Sequence, residues 1–308
     1  MKNTLIITFL VLFKFSLAII DYCSICENGT HTMCRYKGRA PDCPGYRRPE
    51  LTAADKKYIL DIHNDIRNHV ASGLEARGAI GSQPPAADML ALEWDNELAE
   101  IAQRWADQCI RSNDPKQNDA CKRTERFDLG QNVITAITDE PAVPELSVLI
   151  FNWYQQVVNV VPSDIAQFLG VVKGKYMIGQ YTQLVWSETR YVGCGFISFT
   201  ENYDIGKYHH RLVCNYGPGG NIIGEAVYQR GVPCSRCLSR KCDTVRTSLC
   251  QSIDINKTDP DLEEDLVQLN IAHYTSNISN FIDNTSNNLM CLNPDNSKRY
   301  DDLHYRIR

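Results

Sequence analysis

Apolar residues recur at helical spacing in three stretches of the chain. Ile59, Ile62, Ile66 and Val70 lie three or four residues apart, behind a Thr52 and Asp55 pair that reads as a helix N-cap and ahead of Gly73, where the run ends. Leu98, Ile101, Trp105 and Cys109 form a second stripe and predict a helix over 95–110, with Cys109 turned inward or toward a disulfide partner. Leu149, Trp153 and Val157 mark a third, less regular helix over 144–158. Three other stretches, 130–137, 193–199 and 209–216, are rich in β-branched and aromatic residues and read as strands. A polar loop joins the last two, which suits antiparallel pairing. Helices covering both faces of a small antiparallel sheet predict an α+β fold, a three-layer α-β-α sandwich.

The first 20 residues carry Lys2, an apolar run from Leu5 to Phe13, Lys14, and then the small residues Ser16 and Ala18. That pattern reads as a secretory signal peptide, because crossing a bilayer takes about 20 unbroken apolar residues and Lys14 interrupts this run. No later stretch is long and apolar enough to serve as a membrane anchor. Of the 32 Lys and Arg residues, Lys2 and Lys14 leave with the leader, so 30 basic residues face 37 acidic ones. A general basic surface for nucleic acid is therefore not expected.

Thirteen cysteines behind a leader imply an oxidising compartment and a disulfide-rich product. The number is odd. Cys291, far from the others, is the candidate for a free thiol or for a bridge that would make a dimer. Composition divides the rest into a cysteine-dense segment over 21–50, a core domain over 51–230 holding all four tryptophans, a short module over 231–251 and a polar tail over 252–308. In the module, Cys234, Cys237, Cys242 and Cys250 are expected to form two disulfides in an undetermined pairing; a zinc site is the alternative for four clustered cysteines. The tail joins many asparagines to an acidic stretch, Asp259 to Asp265, with Leu262, Leu266 and Leu269 at helical spacing. Its composition predicts a solvated, disordered segment. Asn28, Asn256, Asn277 and Asn284 each begin a glycan acceptor triplet.

Four short motifs, His63-Asn-Asp-Ile-Arg67, Gly130-Gln-Asn132, Gly179-Gln-Tyr-Thr-Gln-Leu-Val-Trp186 and Cys214-Asn-Tyr-Gly-Pro-Gly-Gly-Asn221, stand in an order that resembles the signature motifs of the CAP superfamily. That superfamily joins cysteine-rich secretory, antigen 5 and pathogenesis-related proteins. Within it the chain most resembles insect venom allergen 5, through Asp21-Tyr22-Cys23, His31-Thr-Met-Cys34-Arg-Tyr36, Gly73-Leu-Glu-Ala-Arg-Gly78 and Gln83-Pro-Pro-Ala86. The resemblance spans about residues 21 to 230. It implies disulfides pairing Cys23 with Cys34, Cys26 with Cys121, Cys43 with Cys109, and Cys194 with Cys214. Only the last pair is also supported by the residues alone, since it joins two strands expected to be neighbours.

Many members of the superfamily line a central cleft with two histidines and two glutamates able to hold a divalent cation. Mapped onto this chain, the resemblance places His63, Gln131, Gln156 (with Gln155 adjoining it) and Gln180 at those positions. An amide is a neutral, weak ligand, so three of them remove most cation affinity while keeping the capacity for hydrogen bonds. His63 then reads as a satisfied structural residue, and no catalytic residue, metal or cofactor is expected. The adjacent His209 and His210 on a strand point to opposite faces, so they do not form a surface metal pair. Ser187 and Ser198 read as ordinary polar positions. Gly217-Pro-Gly-Gly220 lacks the lysine and helix of a phosphate loop and reads as a turn. The resemblance implies a secreted, non-enzymatic protein that presents a stiff surface, and a groove between its helices, to a receptor, a lipid or sterol, or a small mediator. The same superfamily also serves reproductive and developmental roles, and a hydrolase with a degraded metal site is the enzymatic alternative.

Overall fold

A computed structural model describes residues 20–251, apart from residues 48, 50, 112, 113, 115, 203, 239 and 240. The expected leader up to residue 19, the tail, Cys291, Asn256, Asn277 and Asn284 lie outside the described residues.

Helix α1 spans Ala53–Ala71 and opens on the expected cap: Thr52 Oγ1 accepts from the Asp55 amide at 3.1 Å, and the Asp55 carboxylate accepts from the Thr52 amide at 2.8 Å. A two-residue strand, β1 (Glu93–Trp94), precedes helix α2 (Asn96–Ala106). Strand β2 is Gly130–Thr138, helix α3 is Leu146–Tyr154, helix α4 is Gly179–Leu184, and strands β3 and β4 are Tyr191–Phe199 and Tyr208–Gly217. The sheet runs β1-β3-β4-β2. Strands β3, β4 and β2 pair antiparallel, whereas β1 joins the edge of β3 in parallel.

The two faces of the sheet bury different helices. Val192, Cys194, Phe196, Leu212, Cys214 and Tyr216 pack with α1, α3 and α4 in the larger core. Val133, Ile197, Phe199 and Val213 pack with Ala102, Trp105 and Ala106 of α2 on the other side. The alternation of one strand thus serves both layers, and the molecule is a three-layer α-β-α sandwich. Helix α2 lies so close to β3 that a Cβ on Gly193 or Gly195 would sit 2.3 Å from helix backbone, so only glycine fits there.

Two helices end earlier than their apolar stripes predict. Regular α2 stops at Ala106, and Cys109 adopts a left-handed φ of 49° that turns its sulfur toward Cys43. Helix α3 tightens after Tyr154 into a 3-10 turn over Gln155–Asn159. Six disulfides join Cys23 to Cys34, Cys26 to Cys121, Cys43 to Cys109, Cys194 to Cys214, Cys234 to Cys242 and Cys237 to Cys250. Cys194 and Cys214 face each other directly in the β3–β4 register. The last two bridges shape the module after the core, which Arg246 ties to α1 through Asp61 at 3.0 Å and Asp65 at 2.8 Å.

The inner face of α1 carries polar side chains that bind other segments. Asn64 pairs with the Leu92 backbone as a strand would, donating to its carbonyl at 2.9 Å and accepting from its amide at 2.7 Å. Arg67 is fully buried and donates to five backbone carbonyls, those of Leu90, Leu184, Trp186, Ser187 and Thr189, at 2.8 to 3.3 Å. Burial lowers its pKa to about 9, which leaves it charged at neutral pH. His63 is also fully buried. Its Nδ1 lies 2.7 Å from the Ile59 carbonyl, which can only accept, so Nδ1 carries the proton and Nε2 accepts from the Tyr216 hydroxyl at 3.0 Å. Burial, aided by the Arg67 charge, pushes its pKa down to about 4.

Lysine carries three donors on one atom and cannot span five carbonyls, so Arg67→Lys is expected to cost about 3 kcal/mol, read as a lower denaturant midpoint. A stability loss under a tenth of that would show that the five contacts contribute little. For His63 the unfolded chain binds the proton more tightly than the folded one, so its contribution is complete above about pH 6.5 and is lost as pH falls through about 4. The loss amounts to roughly 2 kcal/mol between about pH 7 and about pH 5. Denaturant unfolding at both values should show it, and His63→Gln should flatten that slope; an unchanged slope in the variant would contradict the assignment.

Candidate functional site

An open cleft of about 890 Å³ lies where the rim of β2, the start of α4 and the disulfide-tied amino-terminal segment meet. Strand β2 supplies Gly130, Gln131 and Asn132, and α4 supplies Gly179, Gln180 and Gln183. The segment before β2 supplies Asn118, Ala120 and Lys122, held in place by the bridge from Cys121 to Cys26. Tyr36, Trp105, Ile110, Leu129, Val171 and Met177 add the apolar surface.

The stretch Gly179–Leu184 becomes a helix although it holds glycine, threonine and two glutamines, because polar side chains hold its first turn. Gln156 Oε1 accepts from the Gln180 amide at 2.9 Å and the Tyr181 amide at 3.3 Å. Asn221 donates to the Gly179 carbonyl at 2.8 Å, and its oxygen accepts from the Thr182 hydroxyl. A Cβ on Gly179 would collide with Val171 at 2.6 Å, so this position stays glycine.

The cleft amides are spent on neighbours. Gln131 donates to Asn215 Oδ1 at 2.9 Å and accepts from the Asp119 amide at 2.8 Å. Gln156 donates to Gln180 Oε1 at 2.8 Å, and Gln180 donates in turn to the Val133 carbonyl at 2.9 Å. This relay joins the 3-10 turn, α4 and β2. Gln155 points elsewhere, toward Arg77 at 3.4 Å, so Gln156 is the residue that belongs to the cleft network.

Two sequence assignments change. His63 does not line the cleft: it stands behind the wall, connected through the Tyr216 hydroxyl to Asn132, whose amide donates to the Gln180 carbonyl at 3.0 Å. The side of α1 that carries His63 faces the core, and helical spacing alone could not show which wall that core face backs. Asn118, which the sequence did not single out, lines the cleft, and its amide donates to the Gln131 carbonyl at 3.0 Å. Its proximity to Cys121, whose bridge anchors the loop, was the available signal. Asp119 is buried beside it and its carboxylate accepts from Thr32 at 2.5 Å and from the Cys121 amide at 3.1 Å; burial raises its pKa.

These donors do not fit a divalent cation. The side chains of Asn118, Gln131, Gln156 and Gln180 are neutral amides already bonded to protein partners, and none offers an imidazole or a carboxylate. Among the described residues no group of three or more His, Cys, Asp or Glu is arranged to hold a metal ion. His209 and His210 are buried on opposite faces of β4. His209 faces Glu201 and Asp204, at 3.3 and 3.5 Å, while His210 lies between Ser198 and Thr138, at 2.8 and 2.9 Å. The Thr138 hydroxyl donates to the Glu140 carbonyl, so it accepts from His210 Nε2, and the Ser198 hydroxyl donates to Nδ1. Buried under the Arg47–Ser198 backbone pair and lacking a carboxylate, this serine and histidine have no route to a substrate. Gly217 to Gly220 form a turn, with the Gly219 amide donating to the Asp128 carbonyl at 2.8 Å. Asn28 is exposed on a tight turn.

Known proteins share this architecture. The family model described as the cysteine-rich secretory protein family, CAP, matches residues 60–216. Venom allergen 5 of Dolichovespula arenaria is 41% identical over 214 residues, which is 68% of this chain and 99% of that protein. Venom allergen 3 of Solenopsis invicta is 40% identical over 215 residues, 68% of this chain and 89% of its own length. Among solved structures, a crystal structure of NaASP2 with Zn2+ aligns with a TM-score of 0.51 at 26% identity, covering 66% of this chain and 100% of that one. BmVAL-1 shares the fold, with a TM-score of 0.52 at 24% identity over 69% of this chain and 99% of that one. With the family match covering the sheet up to Tyr216, most of the cleft lining and the Arg67 hub, the chain belongs to the cysteine-rich secretory protein family and is a CAP venom allergen-like protein.

Proposed function

We propose that the chain is a secreted, non-enzymatic binding protein of the venom allergen 5 kind, which holds a small mediator in its central cleft. The observation that carries this reading is the relay Gln156–Gln180–Val133 with Gln131 bonded to Asn215: the positions where chemistry would need charge or a base hold amides committed to the scaffold. A relative is described with Zn2+. In this chain the amides replace the donors that zinc prefers, so the cleft serves recognition. Its size suits a small molecule, and its apolar surface with a few fixed polar groups matches the usual composition of ligand sites. The six disulfides support an oxidising, extracellular setting, and no helix among the described residues is long and apolar enough to cross a membrane. The segment over 1–20 is then the leader removed on secretion, and the 231–251 module a disulfide-closed appendage of the domain.

Calorimetry on the mature protein near neutral pH is expected to show no stoichiometric zinc binding. Asn118→His together with Gln180→His, which places imidazoles on the cleft wall, should raise zinc affinity at least about tenfold. One tight zinc per wild-type chain would overturn the reading. Mass spectrometry of small molecules extracted from the natively secreted protein should return a recurrent compound that is lost after Trp105→Ala; recovery of none would count against a cleft ligand.

A further inference from the structure

The cleft lies on an acidic chain, of formal charge −5, yet its own charge is positive. Among the described lining residues Arg35, Lys116 and Lys122 face a single carboxylate, Asp114. Lys122 is half-buried, its ammonium donates to the Asp119 carbonyl at 2.7 Å, and the Asp119 carboxylate lies near enough to act on its charge. A second cation stands directly behind the wall. Arg211 is fully buried, and its hydrogen bonds go to neutral oxygens: the Ile110 and Gln117 carbonyls, Gln117 Oε1 and Thr135 Oγ1, at 2.8 to 3.2 Å. Burial lowers its pKa to about 10, so it keeps its charge at neutral pH. It holds Gln117, to whose carbonyl Trp105 Nε1 also donates at 2.9 Å.

Three rim cations against one carboxylate, with the buried Arg211 behind the wall, focus positive potential into the cleft. The same lining includes Trp105, Leu129 and Met177. Resting on the proposal that this cleft binds a small mediator, we propose that the mediator is an amphiphilic anion, an aryl or short-chain carboxylate or sulfate. Its head sits among Arg35, Lys116 and Lys122, and its apolar body lies along Trp105, Leu129 and Met177. The amides of Gln131, Gln180 and Gln183 are engaged with the protein, so selection comes from charge and apolar fit together.

The test uses two fluorescent probes with a shared aromatic body, anilinonaphthalene sulfonate, which is an anion, and phenylnaphthylamine, which is neutral. The secreted protein is expected to bind the sulfonate at least about tenfold more tightly, with affinity falling as salt rises from about 50 to about 500 mM. Arg35→Gln and Lys122→Gln should each weaken the sulfonate about threefold to tenfold and leave the neutral probe unchanged. Arg35 is exposed, so its variant folds even if Lys122→Gln perturbs the loop. Phe151→Ser, on an exposed face away from the cleft, should change neither probe. Equal affinity for the two probes, or a sulfonate affinity untouched by Arg35→Gln, overturns anion selection while the binding role stands. Failure of both probes to bind overturns that role as well. Displacement of the sulfonate by an equimolar sulfated hexasaccharide would reassign the cleft to a polyanionic glycan and so overturn the amphiphile.

Discussion

Arg67 is the contact on which the arrangement of this molecule depends. One guanidinium, wholly removed from water, gathers five carbonyls that belong to the end of α4, the turn after it and the strand-like segment near Leu90; those of Trp186 and Ser187 also accept from the Thr189 and Leu90 amides. Irregular backbone inside a core is costly because its carbonyls cannot reach water. The planar fork of arginine satisfies them from a single point on α1. The exit of α4 is thereby fixed against α1, while Gln156 and Asn221 fix its entry. Gln180 and Gln183 consequently reach the cleft from a helix that has little intrinsic tendency to form.

The cleft then follows from what is absent in charge and what is present in hydrogen bonding. Glutamine has the reach of glutamate and can bond in the same directions, so the scaffold closes around Gln131, Gln156 and Gln180 without a cation to neutralise carboxylates. With those positions neutral, the rim cations Arg35, Lys116 and Lys122 outnumber the one carboxylate of the lining, Asp114. A site built in this way attracts anions, whereas the same frame furnished with carboxylates would attract metals. The disulfides to Cys109 and Cys121 tie the amino-terminal segment, which supplies Arg35 and Tyr36, to the segment that supplies Asn118 and Lys122.

The sheet and the first helix were legible because their signals are periodic. The alternation in β3 and β4 shows both faces buried, and the Thr52 and Asp55 cap appears as written. The limits of α2 and α3 were not, because a disulfide turns Cys109 into the left-handed region and a tight turn swings Gln156 toward Gln180. Helix α4 has no apolar stripe of its own and forms through contacts from distant residues. His63 was misplaced for a related reason: its side chain points into the core behind Tyr216, and motif order carries no information on which wall a buried face supports. Asn118 is chemically undistinguished and acquires its place only because Cys121 anchors its loop.

A polar cleft in a rigid extracellular frame can transform a ligand or only hold it, and the charge of its lining decides between the two. Diffraction from crystals of the mature protein soaked in zinc at neutral pH, collected at the zinc absorption edge, addresses this directly. An empty anomalous map over Asn118, Gln131 and Gln180 is the predicted result. A full-occupancy anomalous peak coordinated by those side chains would contradict the account.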